Sequence, residues 1–81
     1  MIITAQHVAS GLCIRFAAAE KDCTETLNRD PVYVKAYCRR ATARIALNNY
    51  HGARDDYHRV LELEPNNKLA RTELSALEQV L

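Results

Sequence analysis

Two cations, Lys35 and Arg39, stand four residues apart in this sequence. On a helix that spacing places them one turn apart on one face, where they repel slightly unless an anion comes between them. Arginine can grip a carboxylate through two N–H groups, and lysine supplies a mobile point charge. The pair therefore reads either as an anion site or as two solvated charges on an exposed face. Thr42 follows one turn later on the same face and offers a hydroxyl. A second turn-spaced pair, Arg40 and Arg44, is offset toward the neighbouring helix. It reads as structural, paired with acids such as Asp56 or Glu20.

Other residues with reactive chemistry are poorly placed for it. Cys13, Cys23 and Cys38 are odd in number and lack C-x-x-C spacing. That argues against a disulfide framework or a zinc knuckle and for a reducing compartment. His51 and His58 are spaced too widely for the usual helical zinc pair, so no metal site is expected. Cys38 with His58 would be the one nucleophile pair, yet nothing supplies an orienting third group or an oxyanion site. Two glycines cannot build a phosphate-cradling loop. The expectation is no enzyme and no cofactor.

The elements that must position these residues follow from composition. The chain has 81 residues, enough for one small domain, with 48% apolar and 26% charged residues. Twelve alanines against two glycines and two prolines make a helical composition. A net charge of +1 is too low for a general polyanion binder. Lys35, Arg39, Arg40, Arg44 and Arg59 have no interleaved stacking platform, so nucleic acid is not an expected partner. Ala17-Ala18-Ala19 imitates a signal-peptidase site, but His7 and Arg15 interrupt the apolar run and no basic residue precedes it. The run is also too short and polar to span a bilayer, so no membrane association is expected.

Four apolar stripes at helical spacing divide the chain. Leu69, Ala70, Leu74, Leu77 and Leu81 follow Pro65-Asn66-Asn67 and predict a helix with an asparagine N-cap. Tyr50, Ala53, Tyr57, Val60, Leu61 and Leu63 predict a second helix after Asn48-Asn49. A third, carrying Tyr33, Ala36, Tyr37, Ala41 and Ile45, is predicted from Pro31 to about Leu47, with proline at the helix start. Phe16, Ala19, Cys23, Thr26 and Leu27 mark a fourth. The opening stretch, with Ile2, Ala5, Ala9, Leu12 and Phe16 near one face, predicts a further helix weakened by Ser10, Gly11 and β-branched residues.

Coincidences accumulate at an offset of 34 residues: Pro31 with Pro65, Phe16 with Tyr50, Ala19 with Ala53, Asp22 with Asp56, Leu27 with Leu61. The period implies two helices per unit, neither able to bury its stripe alone, so the units must stack.

A 34-residue unit of this kind resembles the tetratricopeptide repeat. Val34 to Asn67 carries Tyr37, Ala41, Tyr50, Ala53, Tyr57, Val60 and Pro65 where that repeat places its signature residues, and Phe16, Ala19 and Pro31 mark the end of a preceding one. The resemblance implies an all-α, antiparallel helix-turn-helix solenoid of about one and a half to two repeats plus a cap. Residues 1–15 would form an atypical N-terminal helix, 16–33 the second helix of a partial repeat, 34–67 a complete repeat and 68–81 the capping helix.

The strings AEKDCTETL, VKAYCRRATAR and VLELEPNNKLARTEL are similar to tetratricopeptide cochaperones that bind the Glu-Glu-Val-Asp tails of the seventy- and ninety-kilodalton heat-shock chaperones. The resemblance makes Lys35 and Arg39 the third-repeat half of a carboxylate clamp, with Thr42 able to bond the peptide backbone. A middle-repeat asparagine is replaced by Ala5, and the first repeat is absent, which implies a truncated form of a larger cochaperone and weak tail binding. It further implies a cytoplasmic location, with the nucleus second. A different expectation is a helical scaffold fragment that docks other helices and binds no tail. With so few repeats, self-association through the N-terminal end is also expected.

Overall fold

A computed structural model describes the backbone of residues 2–81 and the side chains of residues 14–81. Met1 and the side chains of Ile2, Ala5, His7, Ala9, Leu12 and Cys13, invoked above, lie outside the described residues.

The chain forms four helices: α1 (Ile2–Arg29), α2 (Val34–Ala46), α3 (Tyr50–Leu63) and α4 (Lys68–Val80). Each packs chiefly on its neighbour in sequence, α1 on α2, α2 on α3 and α3 on α4. Short connections force consecutive helices to run antiparallel, which gives the one-dimensional stacking of a helical solenoid.

Local chemistry explains each boundary. Asp30 to Tyr33 make a turn with proline second, where its fixed φ is already correct: the Tyr33 N–H donates to the Asp30 carbonyl (3.2 Å). Pro31 therefore stands in the turn, and α2 begins only at Val34, three residues later than the proline-start reading placed it. The Tyr37 hydroxyl donates to the Pro31 carbonyl (2.8 Å) and pins that turn to α2.

Between α2 and α3, Asn48 takes φ 63°, a left-handed conformation that asparagine tolerates well. The Asn48 and Asn49 N–H groups donate back to the carbonyls of Ile45 (3.0 Å) and Arg44 (2.7 Å), closing the end of α2. The Asn49 side chain then caps α3 by accepting from the Gly52 N–H (3.1 Å). Asn67 does the same for α4 through the Ala70 N–H (2.9 Å), as the sequence predicted.

The core is built from small residues at crossings and aromatics between them. Ala41, Ala53, Ala70 and Val60 are fully buried, and Tyr57, Tyr37, Leu74, Leu77 and Leu27 pack around them. Leu69 and Leu81, read from the sequence as part of the buried stripe of α4, are largely exposed. Leu69 is turned about 100° around the helix from its fully buried neighbour Ala70, and Leu81 follows the last residue of α4.

The largest departure lies in α1. The sequence reading separates a helix over Met1 to Ile14 from one beginning at Phe16; the structure has one continuous helix from Ile2 to Arg29. No proline or asparagine pair stands near residue 15. One interior glycine costs about 1 kcal/mol, and Ala17-Ala18-Ala19 restores helix propensity.

Candidate functional site

The helical repeat of α2 sorts its basic residues by face. Arg40 and Arg44 turn toward α1 and α3. Arg40 holds the buried Asp56 carboxylate bidentately, Nη2 to Oδ1 at 2.6 Å and Nε to Oδ2 at 3.1 Å. Its Nη1 donates to Thr24 Oγ1 (3.2 Å). Arg44 donates from Nη1 to the second Asp56 oxygen (3.2 Å) and from Nε to Glu20 Oε2 (2.7 Å). It also reaches the Gly52 carbonyl (3.3 Å). One network thus ties three helices together, with Asp56, only 2% exposed, at its centre. The bond to Asp56 pushes the Arg40 pKa above its ordinary value, against the opposing effect of burial. The structural reading of this arginine pair holds.

Lys35 and Arg39 lie on the other side of α2, exposed, and form no ion pair among the described residues. Both line an open hollow of about 540 Å³ together with Val34 and Cys38 of α2, Glu64 and Asn67 of the following connection, and Leu69 of α4. Thr42 lies in an adjoining hollow of about 280 Å³, with Phe16, Ala19, Cys38, Arg39 and Ala43. The Thr42 hydroxyl donates to the Cys38 carbonyl (3.1 Å) and neighbours the Tyr57 phenol. Arg39 belongs to both hollows and joins them.

Glu64 was not picked out from the sequence. Asn67 Nδ2 donates to Glu64 Oε1 (3.1 Å) while the same side chain caps α4, so a carboxylate is held in the hollow that the two cations line. The proline-marked turn was legible; that Glu64 shares a hollow with Lys35 and Arg39 was not, because those residues lie far apart in the sequence. The apolar part of this lining comes from Val34, read in sequence only as the start of the repeat unit, and Leu69, read as a stripe position.

Of the described thiols, Cys23 is buried and Cys38 is half-buried, lining both hollows. Burial pushes Cys23 up from its ordinary value, and burial followed by the charges of Glu64 and Asp56 pushes Cys38 up. Nucleophilicity resides in the thiolate, and both environments suppress it. Alkylation at neutral pH, followed by peptide mass mapping, is expected to modify Cys23 and Cys38 more slowly than free cysteine; faster labelling of Cys38 would restore it as a nucleophile. Among the described residues no three metal-ligating side chains converge, and no helix is long and apolar enough to cross a membrane.

Comparison with known proteins places this geometry. The tetratricopeptide repeat family matches residues 34–67. RNA polymerase II-associated protein 3 of Xenopus laevis is 52% identical over 69 residues, covering 83% of this chain and 10% of that protein. The chain thus spans about a tenth of the length of the curated relatives it matches. A solved structure of the first such domain of Spaghetti (RPAP3), bound to the HSP90 peptide SRMEEVD, is 49% identical. It superposes with a TM-score of 0.78 over 80% of this chain and 52% of that one. The Arabidopsis OM64 TPR domain is 39% identical, with a TM-score of 0.75 over 90% of this chain and 68% of that one.

Proposed function

We propose a function from one premise: the chain belongs to the tetratricopeptide repeat family. It is a protein-interaction module for acidic peptides that end in a free carboxylate, of the Glu-Glu-Val-Asp kind found on seventy- and ninety-kilodalton heat-shock chaperones. The observation that carries this reading is the pair Lys35 and Arg39, one turn apart, exposed and without an acidic partner among the described residues, over a hollow large enough for a peptide end. The similar Spaghetti domain is solved with a peptide of this ending.

The chemistry is simple. A terminal aspartate brings two carboxylates close together. Arg39 takes one bidentately and Lys35 the other, each charge-assisted bond contributing about 1.5–3 kcal/mol. The Thr42 oxygen accepts a peptide N–H, and Val34 with Leu69 receives the adjacent apolar side chain. No catalytic step is involved. With two or three anchoring bonds, and after the cost of association, the dissociation constant is expected near about 1 mM.

Titration of the nitrogen–proton correlation spectrum with a peptide ending in Glu-Glu-Val-Asp tests this. Shifts are expected around Lys35, Arg39 and Asn67. They should disappear when the peptide is amidated at its C-terminus and fall at least tenfold in affinity in Lys35→Ala/Arg39→Ala. Equal shifts with the amidated peptide would overturn the reading.

A further inference from the structure

The offset of 34 residues makes α1 comparable, position by position, with α2 and α3. In the complete unit α2 turns through Leu47-Asn48-Asn49 and lies back along α3. The same three positions one unit earlier are Cys13, Ile14 and Arg15. Asn48 adopts φ 63°, which a β-branched isoleucine takes only as a rare, strained outlier. Asn49 caps the next helix with its side-chain oxygen, and arginine has no acceptor with which to do that. Both devices that make the turn are missing, and the helix runs straight through.

The straight course leaves a face without its cover among the described residues. Arg40 with Thr24, and Arg44 with Glu20, set α2 antiparallel to residues 16–29 of α1. At about 1.5 Å per residue α2 is about 20 Å long and α1 about 42 Å, so the first half of α1 projects past the end of α2. α3 is packed from two sides, by α2 and α4, and its Ala53 and Val60 are fully buried. Their counterparts Ala19 and Thr26 are only half-buried, and Phe16 and Ala19 line the open hollow against Thr42 and Ala43. By the period, the segment that belongs in that hollow is residues 2–12, whose sequence repeats apolar residues at Ile2, Ala5, Ala9 and Leu12.

We infer that residues 2–13 of a second copy of this chain fill the hollow, reciprocally, in a segment-swapped dimer. The occupant is the segment the repeat pattern calls for, delivered from a partner because the hinge at Ile14 and Arg15 cannot turn it back onto its own chain. A short hinge that cannot close is the usual origin of such exchange. In a two-fold pair each projecting half-helix and each hollow is used once, so the assembly closes at two.

Sedimentation of the 81-residue chain from about 10 μM to 1 mM is expected to show a monomer–dimer equilibrium, the dimer at twice 9.2 kDa. Ile14→Asn/Arg15→Asn supplies the missing turn and is expected to weaken dimerisation at least tenfold with helix content retained. Isotope-filtered nuclear Overhauser contacts in a mixed-label sample of the unaltered chain give a second readout independent of that variant. They should join residues 2–13 of one copy to Phe16 or Ala43 of the other. A monomer throughout, a polydisperse aggregate, a dimer indifferent to the turn graft, or contacts that are only intramolecular would each overturn the inference.

Discussion

Replacing Asp56 with alanine is expected to destabilise the protein by about 3–5 kcal/mol, because it strands the largely buried guanidinium of Arg40 and takes one of two carboxylates from Arg44. Asp56 is 2% exposed and takes bonds from Arg40 and Arg44, whose side chains are 16% and 20% exposed. Arg40 has no second carboxylate and keeps only a hydroxyl from Thr24, whereas Arg44 retains Glu20 at 2.7 Å. A domain of this size has a total stability of roughly 4–12 kcal/mol, so the substitution removes much of it. Urea unfolding followed by circular dichroism measures the loss. The double variant Arg40→Met/Asp56→Leu is expected to recover part of it, because a buried ion pair replaced by apolar groups of similar volume is often neutral or better. A loss below about 1 kcal/mol in Asp56→Ala would mean that water, not Asp56, solvates the arginines.

Tyr57→Ala is the second large effect, expected at about 3–5 kcal/mol. The ring is 2% exposed and lies in the cluster that joins α2, α3 and α4, touching the layer of Ala41, Ala53 and Ala70. Those alanines are too small to close over the space left behind. Tyr57→Phe is expected to cost about 1 kcal/mol, which separates the ring from the hydroxyl. Burial, first among the causes, pushes the phenol above its ordinary value. The stability linked to it is therefore complete below the unfolded-state pKa of about 10 and lost as pH rises through the higher folded value. The phenylalanine variant should lack that part of the alkaline loss. Thermal unfolding across the alkaline range checks both statements.

The complete unit was legible because its signals are local. Asn48 and Asn49 mark a turn, Pro65 marks another, the asparagine pair after it supplies a cap, and the stripe between them has one period. The separation of Lys35 and Arg39 from Arg40 and Arg44 also follows from sequence, since one residue of offset rotates a side chain by about 100° around the helix. That rotation sends one pair to solvent and the other to Asp56 and Glu20.

What the sequence alone determined is thus the helical class, the 34-residue unit, the register of its core and the face that carries the free cations. Each depends on residues within a turn or two of one another. Tertiary structure decided the rest. It placed Glu64 in the same hollow as the cations, and left Leu69 at the rim instead of in the core. That α1 runs straight where a hairpin was expected is by contrast local, fixed at Ile14 and Arg15, and the sequence reading missed it. A helix continues by default, through local hydrogen bonds, unless a turn can form and a packed partner rewards it. At Ile14 and Arg15 the turn has neither the φ nor the cap it needs, and whether the projecting half finds a partner depends on surfaces far from it in the chain.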